Sequence, residues 1–125
     1  SLGGLLATKL VISHPELGLA GLLLSSPALA LAHPPPKWQV FWGRLASHLL
    51  PCLTIDNGLD PNCISSDVAE VAAYRADPLI HNQISLATAS WLVEGLGTRI
   101  AEIPQPCLVV HGDADEITSH GASQE

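Results

Sequence analysis

A serine followed by two nearby glycines opens the chain: Ser1, Leu2, Gly3 and Gly4. Residues 4–13, "GLLATKLVIS", are apolar on most sides and predict a helix. A serine at the N-terminus of a helix presents its hydroxyl beside backbone N–H groups that stabilise negative charge. Glycines at such a corner let two backbone segments approach too closely for a side chain. Ser1 is therefore a candidate nucleophile, and the Leu2 N–H is a candidate donor to an oxyanion.

A second group of reactive side chains follows the apolar run "CLVVHG": Asp113, Asp115 and Glu116. A carboxylate just past the end of a strand can orient a histidine ring and stabilise its charge during acyl transfer. The residues alone do not separate Asp113 from Asp115, and the loop also fits a merely solvated acidic turn. A metal site is disfavoured, because this loop and the nearby His111 match neither an EF-hand nor an HExxH pattern.

Two apolar runs predict the strands that position these groups. "LAGLLLSS" and "CLVVHG" are continuously apolar, which is typical of parallel strands covered on both faces. A helix, the short turn "HPELG" and a covered strand make half of a βαβ unit. The sequence therefore predicts the α/β class.

About eighty residues separate the two strands, whereas a plain crossover needs about a dozen. This insertion begins with the stiff segment "HPPPK" and contains every aromatic side chain of the chain. Its "KWQVFWGRLASHLLP" predicts a helix with one apolar face, made of Trp38, Phe41, Trp42, Leu45 and Leu49. Such a face is more often plain core, and the alternative is a lid helix that offers apolar surface to a greasy substrate or a membrane interface.

Two more helices are predicted in the insertion. "SDVAEVAAYRADP" has Asp67 and Glu70 at capping-box spacing, and "ISLATASWLVEGLGTRI" is weakened by Gly95 and Gly97.

Composition excludes several classes of function. Acidic residues outnumber Lys and Arg by 12 to 5, and no basic cluster exists, so nucleic acid is not an expected partner. Three widely spaced cysteines, at 52, 63 and 107, form neither a disulfide framework nor a zinc motif, and we interpret them as small core or lid residues. The apolar run at residues 17–32 is interrupted by Ser25, Ser26 and Pro27, so it does not predict a membrane span.

Several phrases of the chain resemble the α/β-hydrolase superfamily, within it the monoacylglycerol lipase and lysophospholipase-like group, also classified as S33-type serine aminopeptidase-like hydrolases. "SLGG" resembles the second half of the family's G-H-S-x-G-G nucleophile elbow, and "HPELGLAGLLLSSPAL" resembles the strand and loop that follow the elbow helix. "LTIDNGLDPNCIS" and "YRADPLIHNQIS" resemble its lid, and "PCLVVHGDADEIT" resembles its acid strand and turn. The resemblance extends nearly from end to end.

The resemblance implies the C-terminal part of an α/β-hydrolase fold, with parallel strands flanked by helices and a helical lid insertion. It implies core residues 1–32, a lid and return helix at 33–103, and a core strand with the acid turn at 104–125. Together these make a single incomplete domain.

The resemblance also implies roles for individual residues. Ser1 is the implied nucleophile, the Leu2 N–H an oxyanion donor, and Asp115 the acid. The family's histidine corresponds to no residue here, because it lies a few tens of residues beyond the acid and hence past Glu125. We therefore expect a fragment that is inactive alone. The implied substrate-binding lid residues are Trp38, Phe41, Trp42 and Leu45.

The remaining histidines do not match the family's base. His120 follows the acid too closely in the chain, and His111 lies within the strand-end motif itself. The others precede the acid, against the chain order, and we interpret them as surface or lid residues: His14, His33, His48 and His81.

The expected function is hydrolysis of lipid-like carboxylic esters of the monoacylglycerol or lysophospholipid type, by acyl transfer and without a cofactor. The expected partners are the small ester substrate and, transiently through the lid, a membrane surface, and the expected location is the cytoplasm or a membrane periphery. The alternative is a non-catalytic hydrolase-like binding domain. A processed N-terminal nucleophile at Ser1 is disfavoured, because those enzymes need a strand at the nucleophile and a helix follows here.

Overall fold

Four helices and four short strands make up the chain, and the computed structural model describes all of residues 1–125. The helices are α1 (Leu2–Ser13), α2 (Lys37–Leu49), α3 (Val68–Ala76) and α4 (Leu86–Gly95). The strands are β1 (Leu22–Ser25), β2 (Thr54–Asp56), β3 (Gln83–Ser85) and β4 (Cys107–Val110). Single 3₁₀ turns occur at Pro15–Leu17, Pro61–Cys63, Ile100–Glu102 and Gly121–Ser123. None of the helices combines the length and apolarity that crossing a membrane requires.

The chain separates into two compact units. One consists of residues 1–34 and 95–125, and the other of residues 35–94. Residues 95–103 thus group with the first unit. The predicted division into core and lid stays a prediction about what the two parts do.

The first unit is organised around the parallel pair β1 and β4, as the sequence predicted. In this pair Leu22 lies opposite Cys107, and Ser25 lies opposite Val110. The turn that leads into β1 contains Gly18, whose left-handed φ of 62° is one that glycine tolerates. The α/β class is confirmed by this arrangement, because a parallel pair joined through the insertion needs the long connection that the sequence provides.

Most of the buried side chains belong to this unit. They come from α1, from β1 and from the segment that follows β1, and they are Leu5, Thr8, Val11, Leu24, Pro27, Ala28 and Leu29. The hydroxyl of Thr8 is satisfied within the helix, since it donates to the Gly4 carbonyl at 2.8 Å. An apolar core and an internally bonded polar group together fix α1 in place.

The predicted cover on both strand faces is found on one face only. Leu24 is buried, but Leu23, Leu108 and Val110, which share the opposite face, are each more than half exposed. Parallel strands have continuously apolar sequences when other elements pack on both faces of the sheet, and residues 1–125 cover one of these faces.

Gly4 marks the closest approach between α1 and the loop after β1. A Cβ at this position would lie 2.8 Å from both Cα and Cβ of Pro27. Gly3 is different, because a Cβ there would meet only the Ser1 Oγ at 3.6 Å, an ordinary contact. The prediction that glycine is sterically required at this corner is therefore confirmed for Gly4 and wrong for Gly3.

The second unit is more exposed. No residue of α2 or α3 is buried, and the aromatic face of α2 is exposed, so it is not core within residues 1–125. An antiparallel pair of three-residue strands, β2 and β3, was not predicted, because three residues are too few for an alternating pattern to be recognised.

One helix cap and one helix boundary differ from expectation. Asp67 caps α3 by accepting from the Ala69 N–H at 2.8 Å, but the Asp67 N–H donates to Ser65 Oγ, so Ser65 takes the place predicted for Glu70. The helix predicted across residues 84–100 is shorter, because Ser85 Oγ accepts from the Thr88 N–H at its start and Gly97 has a φ of 88° just after its end.

None of the three cysteines forms a disulfide bond, and Cys52 is exposed, so the expected burial of its side chain is wrong. It lies in the turn between α2 and β2, where no element of its unit covers it.

Candidate active site

Ser1 is the N-cap residue of α1. Its Oγ accepts a hydrogen bond from the Gly4 N–H at 3.2 Å, and the side chain is exposed. Accepting this bond leaves the hydroxyl hydrogen available for donation to a base. Leu2 is the first residue of the helix, so its N–H has no acceptor within the helix and lies at the positive end of the helix dipole.

Backbone hydrogen bonds join Ser1 to the segment that leaves β1. The Ser1 nitrogen donates to the Ser26 carbonyl, and the Ser1 carbonyl accepts from the Ala28 N–H at 3.0 Å. The Ser26 N–H in turn donates to the Val110 carbonyl at the end of β4, at 2.8 Å. Ser1 therefore lies at the edge where both parallel strands end.

Ser26 has a strained backbone. It is the one non-glycine residue of the chain with a positive φ, 40°. Such conformations persist where the surroundings impose them, and they concentrate at functional sites. The hydrogen bonds to Ser1 and Val110 are the restraints that hold Ser26 there.

The Asp115 carboxylate is enclosed by donors from its own loop. Oδ1 accepts from the Ile117 and Thr118 N–H groups, both at 2.8 Å. Oδ2 accepts from the Thr118 hydroxyl at 2.8 Å and lies 3.3 Å from Nε2 of His111. Only 17% of the side chain is exposed.

These partners decide the charge of Asp115. Burial raises the pKa of its carboxyl, but the hydrogen bonds from Thr118 and Ile117, together with His111, outweigh it, so the pKa is lowered overall. Asp115 is thus an ionised, fixed acceptor at neutral pH.

His111 is buried behind this carboxylate, with 2% of its side chain exposed. Its Nδ1 lies 2.6 Å from Ser123 Oγ, and its Nε2 lies 3.2 Å from Thr118 Oγ1. Because the Thr118 hydroxyl hydrogen is donated to Asp115, Thr118 Oγ1 acts as an acceptor toward His111 Nε2. In neutral His111 the hydrogen is therefore on Nε2, and Nδ1 accepts from Ser123.

The acid loop is joined to the same segment that holds Ser1. Ala32 donates its N–H to the Ile117 carbonyl at 3.1 Å, Ser119 donates to the Ala30 carbonyl at 2.9 Å, and Leu31 pairs with Thr118 as an isolated antiparallel bridge. The same segment holds Ser1, because the Ala28 N–H donates to the Ser1 carbonyl at 3.0 Å. One stretch of chain, residues 26–32, is therefore hydrogen-bonded both to Ser1 and to the acid loop.

The remaining predicted site residues are exposed. Asp113 is an exposed side chain of the acid loop, and no three His, Cys, Asp or Glu side chains are arranged to hold a metal ion. Four histidines are exposed and outside the loop: His14, His33, His48 and His81. The predicted lid residues lie on α2 in the second unit and are between 46% and 67% exposed: Trp38, Phe41, Trp42 and Leu45.

Sequence reasoning missed Thr118, Ser26 and Ser123. Thr118 was recognisable in principle, because a Thr three residues after an Asp can return its N–H and hydroxyl to the carboxylate. The strain at Ser26 and the contact of Ser123 with His111 depend on tertiary packing and have no local signal.

Comparison with known proteins gives a consistent family. Residues 1–125 match the family described as "Serine aminopeptidase, S33". The chain is 37% identical over 128 residues to an uncharacterized abhydrolase domain-containing protein of Dictyostelium discoideum, covering 100% of this chain and 14% of that protein. It is 33% identical over 102 residues to a monoacylglycerol lipase of Mycolicibacterium smegmatis, covering 78% of this chain and 36% of that one.

Solved structures agree on the fold. The chain superimposes on the monoacylglycerol lipase of Paleococcus ferrophilus with a TM-score of 0.89 and 31% identity, covering 99% of this chain and 49% of that one. It also superimposes on a soluble variant of the Saccharomyces cerevisiae monoglyceride lipase in complex with a substrate analog, with a TM-score of 0.78, 23% identity, and coverage of 99% and 45%. The chain thus spans about half the length of these structures. Residues 1–125 belong to the serine aminopeptidase S33 family, in the monoacylglycerol lipase-like group of the α/β hydrolases.

Proposed function

We propose that the protein containing this chain hydrolyses lipid-like carboxylic esters, of the monoacylglycerol or lysophospholipid type, by acyl transfer through Ser1. The observation that supports the proposal is that Ser1 and the loop of an ionised Asp115 are both hydrogen-bonded to the segment that leaves β1, at one edge of the β1–β4 pair. Membership of a lipase-like group and the monoacylglycerol lipases among its relatives support a lipid ester as substrate.

In the proposed mechanism, Ser1 Oγ attacks the ester carbonyl while a histidine base takes the hydroxyl proton. The Leu2 N–H donates to the oxyanion that forms, with the helix dipole adding to its stabilisation. The base then gives the proton to the leaving alcohol, and the acyl group stays on Ser1 Oγ. In the second half of the reaction the base takes a proton from water, the water attacks the acyl carbonyl, and the proton passes to Ser1 Oγ as the bond to the fatty acid breaks. Asp115 keeps the histidine in the correct tautomer and orientation.

The base in this proposal is a histidine that residues 1–125 do not supply. His111 is unsuited, because its two ring nitrogens contact Ser123, Thr118 and Asp115 within the acid loop. His120 packs edge-on against His111, with 5.7 Å between ring centroids, only five residues after the acid. We therefore expect residues 1–125 alone to be inactive.

The exposed aromatic face of α2 supports an apolar substrate. Phe41 and Trp42 form an edge-to-face pair with centroids 5.4 Å apart and are each at least 60% exposed. Neighbouring exposed apolar side chains on one helix face are typical of a site that binds a partner or ligand. We propose that this face contacts the acyl chain.

Covalent labelling tests the nucleophile. A fluorophosphonate should modify Ser1 in the full-length protein, as located by peptide mass spectrometry, and Ser1→Ala should abolish both labelling and ester hydrolysis. Ser13→Ala, at the other exposed end of α1, is the matched control and should retain both. Labelling that persists in Ser1→Ala would assign the nucleophile elsewhere, and a properly folded protein with neither labelling nor turnover would favour the non-catalytic binding domain.

Asparagine substitutions test the acid. Asp115→Asn should lower turnover by roughly 10⁴-fold, as loss of the ionised acceptor does in serine proteases. Asp113→Asn should have little effect, because Asp113 is exposed. The reverse ranking would transfer the role of acid to Asp113.

A further inference from the structure

We propose that Thr118 is a positioning residue for the acid. Its hydroxyl fixes the orientation of the Asp115 carboxylate at the edge where β1 and β4 end, the edge at which Ser1 lies. This inference rests on the proposed function, in which Asp115 is the acid. Nothing in the sequence motifs assigned a role to Thr118.

The first supporting observation is that Thr118 contacts both carboxylate oxygens. Its N–H donates to Oδ1 and its hydroxyl donates to Oδ2, both at 2.8 Å. Two donors from one residue fix the plane of the carboxylate, whereas the Ile117 N–H reaches Oδ1 alone. Removing the hydroxyl would leave Oδ2 with only the longer contact, 3.3 Å, to His111.

The second observation is that Thr118 is itself fixed. It is 4% exposed, and its neighbours Ile117 and Ser119 hydrogen-bond to Ala32 and Ala30, in the segment that leaves β1. The same segment, through Ala28, donates to the Ser1 carbonyl. The backbone on both sides of Thr118 is thus bonded to the segment that also holds Ser1.

The third observation is that the Thr118 hydroxyl is fully engaged. It donates its only hydrogen to Asp115, and its oxygen lies 3.2 Å from His111 Nε2. Ser123 Oγ lies 2.6 Å from His111 Nδ1 and donates to it, which leaves the hydrogen on His111 Nε2 directed toward Thr118 and Asp115. A hydrogen bond to a charged group, in a site with little solvent, is stronger than an ordinary one.

Two substitutions separate the hydroxyl from the packing of Thr118. Thr118→Val keeps the side-chain shape and the N–H but removes the hydroxyl, whereas Thr118→Ser keeps the hydroxyl and removes a methyl group. In the full-length protein we expect Thr118→Val to lower kcat about 10- to 100-fold with KM little changed, which is the range for a hydrogen bond to a charged group. Thr118→Ser should remain within about threefold of the wild type.

If Thr118 only filled space, the ranking would be the opposite, because valine would then be tolerated and serine would leave a cavity. That ranking would overturn the proposal. The effect should also vanish in an Asp115→Asn background, since Thr118 acts through Asp115, and a further full loss there would equally refute it.

If Asp115→Asn itself leaves turnover unchanged, the acid assignment fails independently of Thr118. The effect of the Thr118 hydroxyl on the Asp115 carboxylate is then measured by the pH dependence of thermal stability. Loss of stability in acid should shift to higher pH in Thr118→Val and not in Thr118→Ser, and identical profiles would reject the inference.

Discussion

Gly4 offers the sharpest test of how α1 is positioned. In Gly4→Ala the new methyl would lie 2.8 Å from Cα and Cβ of Pro27, where ordinary contacts begin near 3.4 Å. Pro27 is buried and the contact includes its backbone, so no flexible side chain can move aside. Gly43, inside α2, is the matched control, because a Cβ there meets nothing within 4 Å.

The two substitutions should have opposite signs. Replacing glycine by alanine inside a helix stabilises it by about 0.5–1 kcal/mol, which applies to both sites. Overpacking a filled site costs about 1–3 kcal/mol, and this cost applies only at Gly4. We therefore expect Gly43→Ala to raise the free energy of unfolding and Gly4→Ala to lower it, with a difference of about 1–3 kcal/mol between them.

Urea unfolding of the full-length protein measures both values, provided that the slope with denaturant is unchanged. Gly3→Ala serves as a second control, since its Cβ would only touch Ser1 Oγ at 3.6 Å. Gly4→Ala should also reduce turnover, because relief of the contact moves the helix N-terminus that carries Ser1. Equal stabilisation by Gly4→Ala and Gly43→Ala would refute the close approach.

Two further outcomes are expected. Trp42→Ser should weaken hydrolysis of long-chain esters much more than hydrolysis of acetyl esters, with little change in melting temperature because Trp42 is 60% exposed. Leu79→Ser, at another exposed side chain, is the control and should change neither quantity. Equal loss of activity on both esters together with a lowered melting temperature would contradict the lid proposal. Because the pKa of Asp115 is lowered by folding, its contribution to stability is present above its ordinary pKa of about 3.9 and is lost as pH falls through the lowered value. Asp115→Asn should remove this loss of stability at low pH. If melting temperatures measured at a series of pH values fell in parallel for the wild type and Asp115→Asn, this prediction would be contradicted.

The sequence predicted the elements whose patterns are local. The helix after Ser1 and the two apolar strands were recognisable because an unbroken apolar run and a following turn are written in consecutive residues. The cap of α3 was half recognisable: Asp67 caps the helix, but Ser65, not Glu70, receives the Asp67 N–H. Capping-box spacing cannot reveal a competing hydroxyl two residues earlier.

Burial was harder to predict than structure type. The aromatic face of α2 has the spacing of a core helix, yet every residue on it is exposed. Periodicity reports that apolar side chains share a face and says nothing of what covers that face. The same limit applies to Leu23 and Leu108, whose strands have the continuous apolar sequence of covered strands.

The arrangement of donors around Asp115 has a consequence for the proposed mechanism. A carboxylate offers about four acceptor positions, and here donors at 2.8 Å from Ile117 and Thr118 fill three of them. The fourth, on Oδ2, has only the longer contact with His111, at 3.3 Å. A catalytic histidine that binds this oxygen therefore replaces the weakest partner and leaves the donors that fix the carboxylate in place. The acid loop is thus preorganised for an incoming base, because Asp115 does not need to turn or lose a short hydrogen bond to accept it.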